Sequence, residues 1–369
     1  MKTTVVGNYP KIPNLPRPAK FRKAIADFDA GKITRAELER ITDQVTVEVL
    51  DEQADAGIDL VTDGKIRWED EQTYLARGLQ GFSISGLLRY FDSNTYYRQP
   101  VCEGAVRWTQ PITVRDFQFA QENSAKPIKV ALTGPYTLAR LSLNQHYATL
   151  DEFVLALADA LNAEARALEQ AGATFIQFDE PAILRHKQDW ALFEQAMRRL
   201  TQGLTAKLAL YTYFGDVSGI YPQILDLPFA VLGLDFVQGP KNWDVIKTAP
   251  FTKELGFGIV NARNTKIETK KELQRAFARI ARFVALDRVY INPTCGLEFL
   301  PRERAQEKLA NMVAAVGAAG SRDTKRGNTK TAKRGSAKRE SAKRGSAKKI
   351  GAKKPAQSAK KSKGAKAKK

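Results

Sequence analysis

Asp179 and Glu180 are adjacent carboxylates that close the run Phe175-Ile176-Gln177-Phe178 and are followed at once by Pro181 and Ala182. A short apolar run suits a buried strand, and proline, which lacks the N–H that a ladder needs, prevents the strand from continuing. The pair therefore stands at the carboxyl end of a strand. In α/β folds ligands bind along that rim, because crossover helices cover the flanks and leave it open. Asp179 and Glu180 are accordingly candidate catalytic residues. The competing reading is a loop carboxylate that does no more than cap the next helix.

The rest of the chain supplies strands and helices to build such a rim. A β-branched strand opens at Thr3 and meets Asn8-Tyr9-Pro10 after Gly7, and Pro13, Pro16 and Pro18 hold an extended connection until a helix begins near Phe21. Thr34 and Glu37 have capping-box spacing for a second helix reaching about Ala56. Further strands are expected at Gly57 to Thr62, Pro127 to Leu132, Lys207 to Tyr211, Ala230 to Asp235, Gly256 to Val260 and Arg288 to Asn292. Helices are expected over 151–171, where Phe153, Leu157, Leu161 and Ala165 recur at helical spacing, and near 187–202, 270–285 and 302–316. The stretch from about Phe82 to Pro111 is aromatic, turn-rich and without helical period, which predicts an irregular or hairpin insertion on the rim. Eight strands alternating with helices predict an α/β fold of the (β/α)8 TIM-barrel class. A doubly wound open sheet is the rival, disfavoured because no G-x-G-x-x-G turn follows any strand.

Charge divides the chain. From Ser321 to the end there are 20 Lys/Arg against 2 acidic residues, so the tail holds nearly all of the formal net charge of +19. Residues 1–320 read as a nearly neutral barrel domain and residues 321–369 as a disordered basic tail built on five-residue repeats such as Ser336-Ala-Lys-Arg-Glu340. Such a polycation suits nucleic acid or polyphosphate, or serves solubility alone. Two cysteines, Cys102 and Cys295, argue against a disulfide framework, and no apolar run is long enough for a membrane span. A cytoplasmic protein is expected.

Five motifs occur in order across the body: Thr4-Val5-Val6-Gly7-Asn8-Tyr9-Pro10, Gly57-Ile58-Asp59-Leu60, Leu132-Thr133-Gly134-Pro135, Ile176-Gln177-Phe178-Asp179-Glu180-Pro181-Ala182 and Ile291-Asn292-Pro293-Thr294-Cys295-Gly296-Leu297. Together they make residues 3–316 resemble the cobalamin-independent methionine synthase family. The resemblance implies a barrel that transfers a methyl group to the thiol of homocysteine, from methyltetrahydrofolate or a methylcorrinoid. It also implies zinc, which holds the thiol as thiolate at neutral pH.

Carried over residue by residue, the pattern is only partly met. Cys295 matches one zinc ligand and Asp235 stands where a ligand glutamate is implied, but the implied His-x-Cys reads Tyr211-Thr212-Tyr213. Lys65 replaces a glutamate that grips the substrate's ammonium, and by its charge would attract an anion instead. Arg263 replaces a histidine proton donor, although arginine cannot act as a general acid near neutrality. Asn8 replaces a substrate-binding serine, and Asp179, implied to contact the substrate amino group, is retained. Asn8, Lys65, Tyr211 and Tyr213 are thus the substrate-binding candidates. The strand ends at Leu210 to Phe214, Leu234 to Gly239 and Asn261 to Asn264 are more similar to the zinc-free amino-terminal barrel of the two-barrel enzymes. Three functions follow: homocysteine-type methyl transfer, a zinc-free barrel for an anionic small molecule, and a non-catalytic partner of a separate barrel.

Overall fold

The computed structural model describes residues 1–15 and 19–319, and Met1–Gly317 form one compact unit. The basic tail lies outside the described residues. In chain order the strands are β1 (Lys2–Thr3), β2 (Gln80–Arg89), β3 (Tyr96–Arg107), β4 (Val130–Thr133), β5 (Leu143–Asn144), β6 (Phe175–Asp179), β7 (Lys207–Thr212), β8 (Val231–Asp235), β9 (Glu254–Val260) and β10 (Val289–Pro293). Seven of them form one parallel sheet in the order β1-β10-β9-β8-β7-β6-β4. Strands β4, β6, β8 and β10 are buried along their whole length, as parallel strands covered on both faces must be.

Both edges of this curled sheet reach the same segment. Thr4 bridges Leu60 and Val61 bridges Ile128, each in parallel. The strand expected at Gly57 to Thr62 is reduced to these bridges because side chains take over its hydrogen bonds. Asp59 accepts from the Thr3 amide at 2.7 Å and from its hydroxyl at 2.9 Å. Gln53 closes a ring with Thr62, accepting from its amide at 3.1 Å and donating to its carbonyl at 2.8 Å.

The principal helices are α1 (Lys20–Asp29), α2 (Arg35–Asp55), α3 (Thr73–Gly78), α4 (Val114–Asn123), α5 (Pro135–Arg140), α6 (Leu150–Gln170), α7 (Trp190–Leu200), α8 (Asn242–Val245) and α9 (Lys270–Ile280), followed by a helix over 302–319. Thr34 caps α2 by accepting from the Glu37 amide. Full capping boxes begin α6 at Thr149 and Glu152, and α9 at Thr269 and Glu272. Along α6, Phe153, Val154, Leu157, Leu161 and Leu168 are fully buried, so its apolar stripe packs inward as its spacing requires. None of the described helices is long and apolar enough to cross a membrane.

The stretch beginning at Phe82 does fold as a hairpin. Strands β2 and β3 pair antiparallel from Gln80 opposite Arg107 to Arg89 opposite Tyr96, and β5 pairs parallel with β3. This three-stranded sheet is separate from the parallel one. Its aromatic residues Tyr90, Tyr96 and Tyr97 wall the candidate site.

Candidate active site

Lys65 organises the carboxyl ends of the strands. It follows Gly64 in a turn, adopts a left-handed φ of +50°, and is 1% exposed. Side chains other than glycine enter that region at a cost of about 1–2 kcal/mol, so the surroundings must hold Lys65 there. Its Nζ lies 2.5 Å from Glu71 Oε2 and 3.7 Å from Asp179 Oδ2, and Asp63 Oδ1 accepts from its amide at 3.1 Å. Burial works to lower the Lys65 pKa, but Glu71 and Asp179 outweigh it and raise it. The ammonium therefore stays charged and is already shared between two carboxylates. Asp179 is pushed up to about 7 by burial, with Glu71 adding to the rise and Lys65 opposing it.

A second buried lysine lies within the curled sheet. Lys129 Nζ donates to the Val5 carbonyl at 2.6 Å and to Gln177 Oε1 at 2.7 Å, while Gln177 Nε2 donates to Asp179 Oδ1 at 2.6 Å. Burial lowers Lys129 to about 7. Its Nζ sits 5.0 Å from the centroid of the Tyr211 ring, whose hydroxyl is 3.5 Å from Asn292 Oδ1. Gly233 gives that ring its place, because a Cβ there would overlap the aromatic carbons. Tyr211 thus fills the interior of the sheet and does not line the cleft described below.

Glu180 turns away from Asp179. Its carboxylate accepts from the Tyr136 amide at 2.9 Å and from the Thr137 amide and hydroxyl at 2.7 Å each, covering the first turn of α5. Gly134 makes the approach possible, since a Cβ there would collide with the carboxylate. Burial raises Glu180 to about 8 against these three donors. A buried acid with its oxygens so engaged caps a helix, and that helix is α5, which precedes Glu180 in the chain, rather than the next one that the sequence suggested.

The two metal-ligand candidates are also engaged. Asp235 accepts from the amides of Val237 at 2.9 Å, Gln238 at 2.8 Å and Phe214 at 3.2 Å, closing the turn after β8. The Cys295 thiol is buried, points to the Gly296 carbonyl at 3.4 Å, and is held protonated by burial and by the nearby charges of Glu298 and Asp235. No group of three His, Cys, Asp or Glu side chains among the described residues could hold a metal. One thiol and one carboxylate do not fit a four-coordinate zinc ion, which takes three or four protein ligands. Arg263 is likewise committed. It donates to the Asp92 carbonyl at 2.7 Å and stacks over Phe214 and Phe299. Tyr213 is buried, with its hydroxyl 3.5 Å from that of Tyr90.

Beside this network lies a cleft of about 290 Å³, at the small end for ligand pockets. Asn8, Lys11, Glu69, Asp70, Glu71, Gln72 and Glu298 give it polar groups, and Trp68, Tyr90, Tyr96, Tyr97, Ile12 and Leu300 give it walls. Four of its residues are acidic and one is basic. Lys11, lowered to about 8 by burial, donates to the Trp68 carbonyl. Of the sequence candidates only Asn8 lines this cleft directly, and its side chain bonds to Glu298. Glu71, Gln72 and Glu298 were missed by motif reasoning. A lysine at a strand end, with no escape to solvent, was the available signal that an acid such as Glu71 must follow.

A family profile described as "Cobalamin-independent synthase, Catalytic domain" matches residues 1–318. The chain belongs to this family. It is 33% identical over 315 residues to a methionine synthase of Saccharolobus solfataricus, covering 85% of this chain and 93% of that one. Against a methionine synthase of Pyrococcus abyssi it is 33% identical over 337 residues, covering 90% and 97%. Its fold is similar to that of a B12-independent methionine synthase from a Shewanella species, solved with selenomethionine, with a TM-score of 0.73 at 22% identity over 87% of this chain and 98% of that one. Membership stands beside a local departure. Where the family resemblance implies a glutamate for a substrate ammonium, this chain has Lys65, whose own ammonium pairs with Glu71.

Proposed function

We propose that the chain is a methyltransferase of this family whose acceptor is the thiol of homocysteine or a closely related amino thiol. We read the curled sheet together with the Leu60 and Val61 bridges as the (β/α)8 barrel of the family. The observation that carries the reading is the small acidic cleft with aromatic walls at the carboxyl ends of the strands, adjoining the Lys65–Glu71–Asp179 network. The excess of acidic over basic groups in the lining favours a ligand with a cationic group, as an amino acid has, and disfavours a purely anionic one. The anionic-ligand alternative loses support for the same reason, since Lys65 and Arg263 are both spoken for.

Methyl transfer requires the thiol proton to leave before or as sulfur attacks the methyl carbon, because the thiolate is the nucleophile. The residues present do not assemble a zinc site, so no step is assigned to a metal. Asp179, close to the cleft, is pushed up to about 7 by burial, a value matched to proton exchange at neutral pH. Asp179 also holds Lys65 in place, and the aromatic walls keep water from the carbon chain of the acceptor. A second reading, a zinc-free barrel that binds its ligand without turnover and serves a partner barrel, is favoured by the incomplete metal-ligand set.

Complementation separates the two. Expressed in a methionine auxotroph lacking its own methionine synthases, the chain should restore growth without methionine if it transfers methyl groups. Normal expression of folded protein without any growth would count against transfer and for the binding reading.

A further inference from the structure

The charged groups of the cleft are nearly all committed to neighbours. Glu69 pairs with Arg77, with its Oε1 2.5 Å from Nε. Asp70 accepts from the amides of Gln72 at 2.9 Å, Thr73 at 2.7 Å and Arg98 at 3.0 Å. Glu71 is taken by Lys65 and the Thr133 hydroxyl, and Lys11 by the Trp68 carbonyl.

Four side chains of the lining keep a buried polar atom without a hydrogen-bond partner, Tyr9, Trp68, Gln72 and Glu298, and of these Gln72 and Glu298 carry an amide and a carboxylate. Gln72 is 0% exposed, yet neither its Oε1 nor its Nε2 has a hydrogen-bond partner. Glu298 has one oxygen, Oε2, buried without a partner, although Asn8 and its own backbone bond to the carboxylate. Buried amides and carboxylates are hydrogen-bonded in the great majority of folded proteins, because leaving one unpaired costs about 1–3 kcal/mol. A fully buried amide with both ends open, in the lining of the same cleft as a carboxylate with one oxygen open, marks where a ligand supplies the missing partners. An amide offers a donor and an acceptor side by side, and the carboxylate offers only an acceptor.

We propose that Gln72 and Glu298 are the specificity residues of this cleft and recognise the zwitterionic head of an α-amino acid. Glu298 Oε2 and Gln72 Oε1 accept from its ammonium, and Gln72 Nε2 donates to its carboxylate. The side chain of the ligand lies along the aromatic and aliphatic wall formed by Tyr96, Tyr97, Ile12 and Leu300. This assignment rests on the amino-thiol reading above and deepens it. It also explains how the cleft works with Lys65 in place: the chain's own ammonium occupies Glu71 and Asp179, so the ligand's ammonium is received elsewhere.

The test is calorimetry on the full chain with three probes: L-methionine, its analogue lacking the amino group, 4-(methylthio)butanoate, and its analogue lacking the carboxylate, 3-(methylthio)propylamine. L-Methionine should bind at least about tenfold more tightly than either analogue, the worth of a hydrogen bond to a charged group. In Glu298→Gln the preference over the deaminated analogue should collapse while affinity for that analogue is kept. In Gln72→Leu the preference over the decarboxylated analogue should collapse. Because each result is a ratio within one folded variant, a loss of stability cannot produce it. If methionine binds the wild type but the ratios are unchanged in both variants, the assignment of Gln72 and Glu298 is wrong and the amino-thiol reading survives. If neither methionine nor homocysteine binds the wild type, the amino-thiol reading fails and this assignment fails with it.

Discussion

Replacing Lys65 with methionine removes the ammonium and keeps much of the side-chain volume. At an effective dielectric of about 20, a unit charge at the 2.5 Å and 3.7 Å separations seen here is attracted to Glu71 and Asp179 by about 7 and about 4.5 kcal/mol. Desolvation of three buried charges offsets most of this, and removal of one partner from a buried pair costs about 3–5 kcal/mol because the remaining charge is left unpaired. Lys65→Met should therefore destabilise the barrel by that amount. Glu71→Gln alone leaves the ammonium with Asp179 and should cost less. The double variant, Lys65→Met with Glu71→Gln, leaves neither the ammonium nor the Glu71 charge and should recover part of the loss. Denaturant unfolding at neutral pH on all four proteins gives the cycle, with an expected coupling of at least about 2 kcal/mol between the two sites. A coupling under about 0.5 kcal/mol, or a Lys65→Met protein as stable as the wild type, would show that Lys65 is not held by Glu71 and would remove the reason for placing the ligand's ammonium elsewhere.

Further outcomes follow from the same geometry. Glu180→Ala strands three donors at the start of α5 and should lower stability by about 2–4 kcal/mol; a small change in the unfolding midpoint would restore Glu180 as a candidate for chemistry. Glu298 sits at about 7 in the folded chain against an ordinary 4.5, so the folded state binds that proton more tightly than the unfolded state. Its contribution to stability is thus largest below pH 4.5 and falls as pH rises through 7. Relative to wild type, Glu298→Gln should gain on the order of 2–3 kcal/mol between pH 4.5 and 8, and a pH-independent difference would refute the burial assigned to it. Elemental analysis of the metal-replete protein should give well under one zinc per chain, unchanged in Cys295→Ala; one zinc lost in that variant would overturn the reading of the donor set. Truncation after Gly320 should abolish a gel shift on DNA while the barrel stays folded, and an equal shift without the tail would end the nucleic-acid proposal for it.

Much of the fold was legible because its signals are local. Capping pairs such as Thr34 and Glu37, the stripe from Phe153 to Leu161, and the proline after Glu180 each depend on residues a few positions apart. The segment at Leu60 and Val61 was less legible, since its strand character depends on whether Asp59 and Gln53 replace ladder bonds with side-chain ones. At the site, Asp179 was singled out by its place at a strand end, and Lys65 and Asn8 by the family resemblance. Sequence reasoning misjudged how free they are. The charge of Lys65 suggested an anion, but the sign of the cleft is set by Glu71, Glu69, Asp70 and Glu298, which converge only in three dimensions. Glu180 shows the converse: adjacent in sequence to Asp179, it is directed by the strand's alternation toward α5.

The central claim, methyl transfer to an amino thiol in this cleft, is tested most directly by turnover of the full chain. Homocysteine would be supplied with isotopically labelled methyltetrahydrofolate or methylcobalamin, and labelled methionine measured by mass spectrometry. Transfer from one of the two donors is expected, falling at least about tenfold in Glu298→Gln at subsaturating homocysteine. Homocysteine that binds to the folded chain yet gives no labelled methionine with either donor would contradict the claim and leave a ligand-binding barrel.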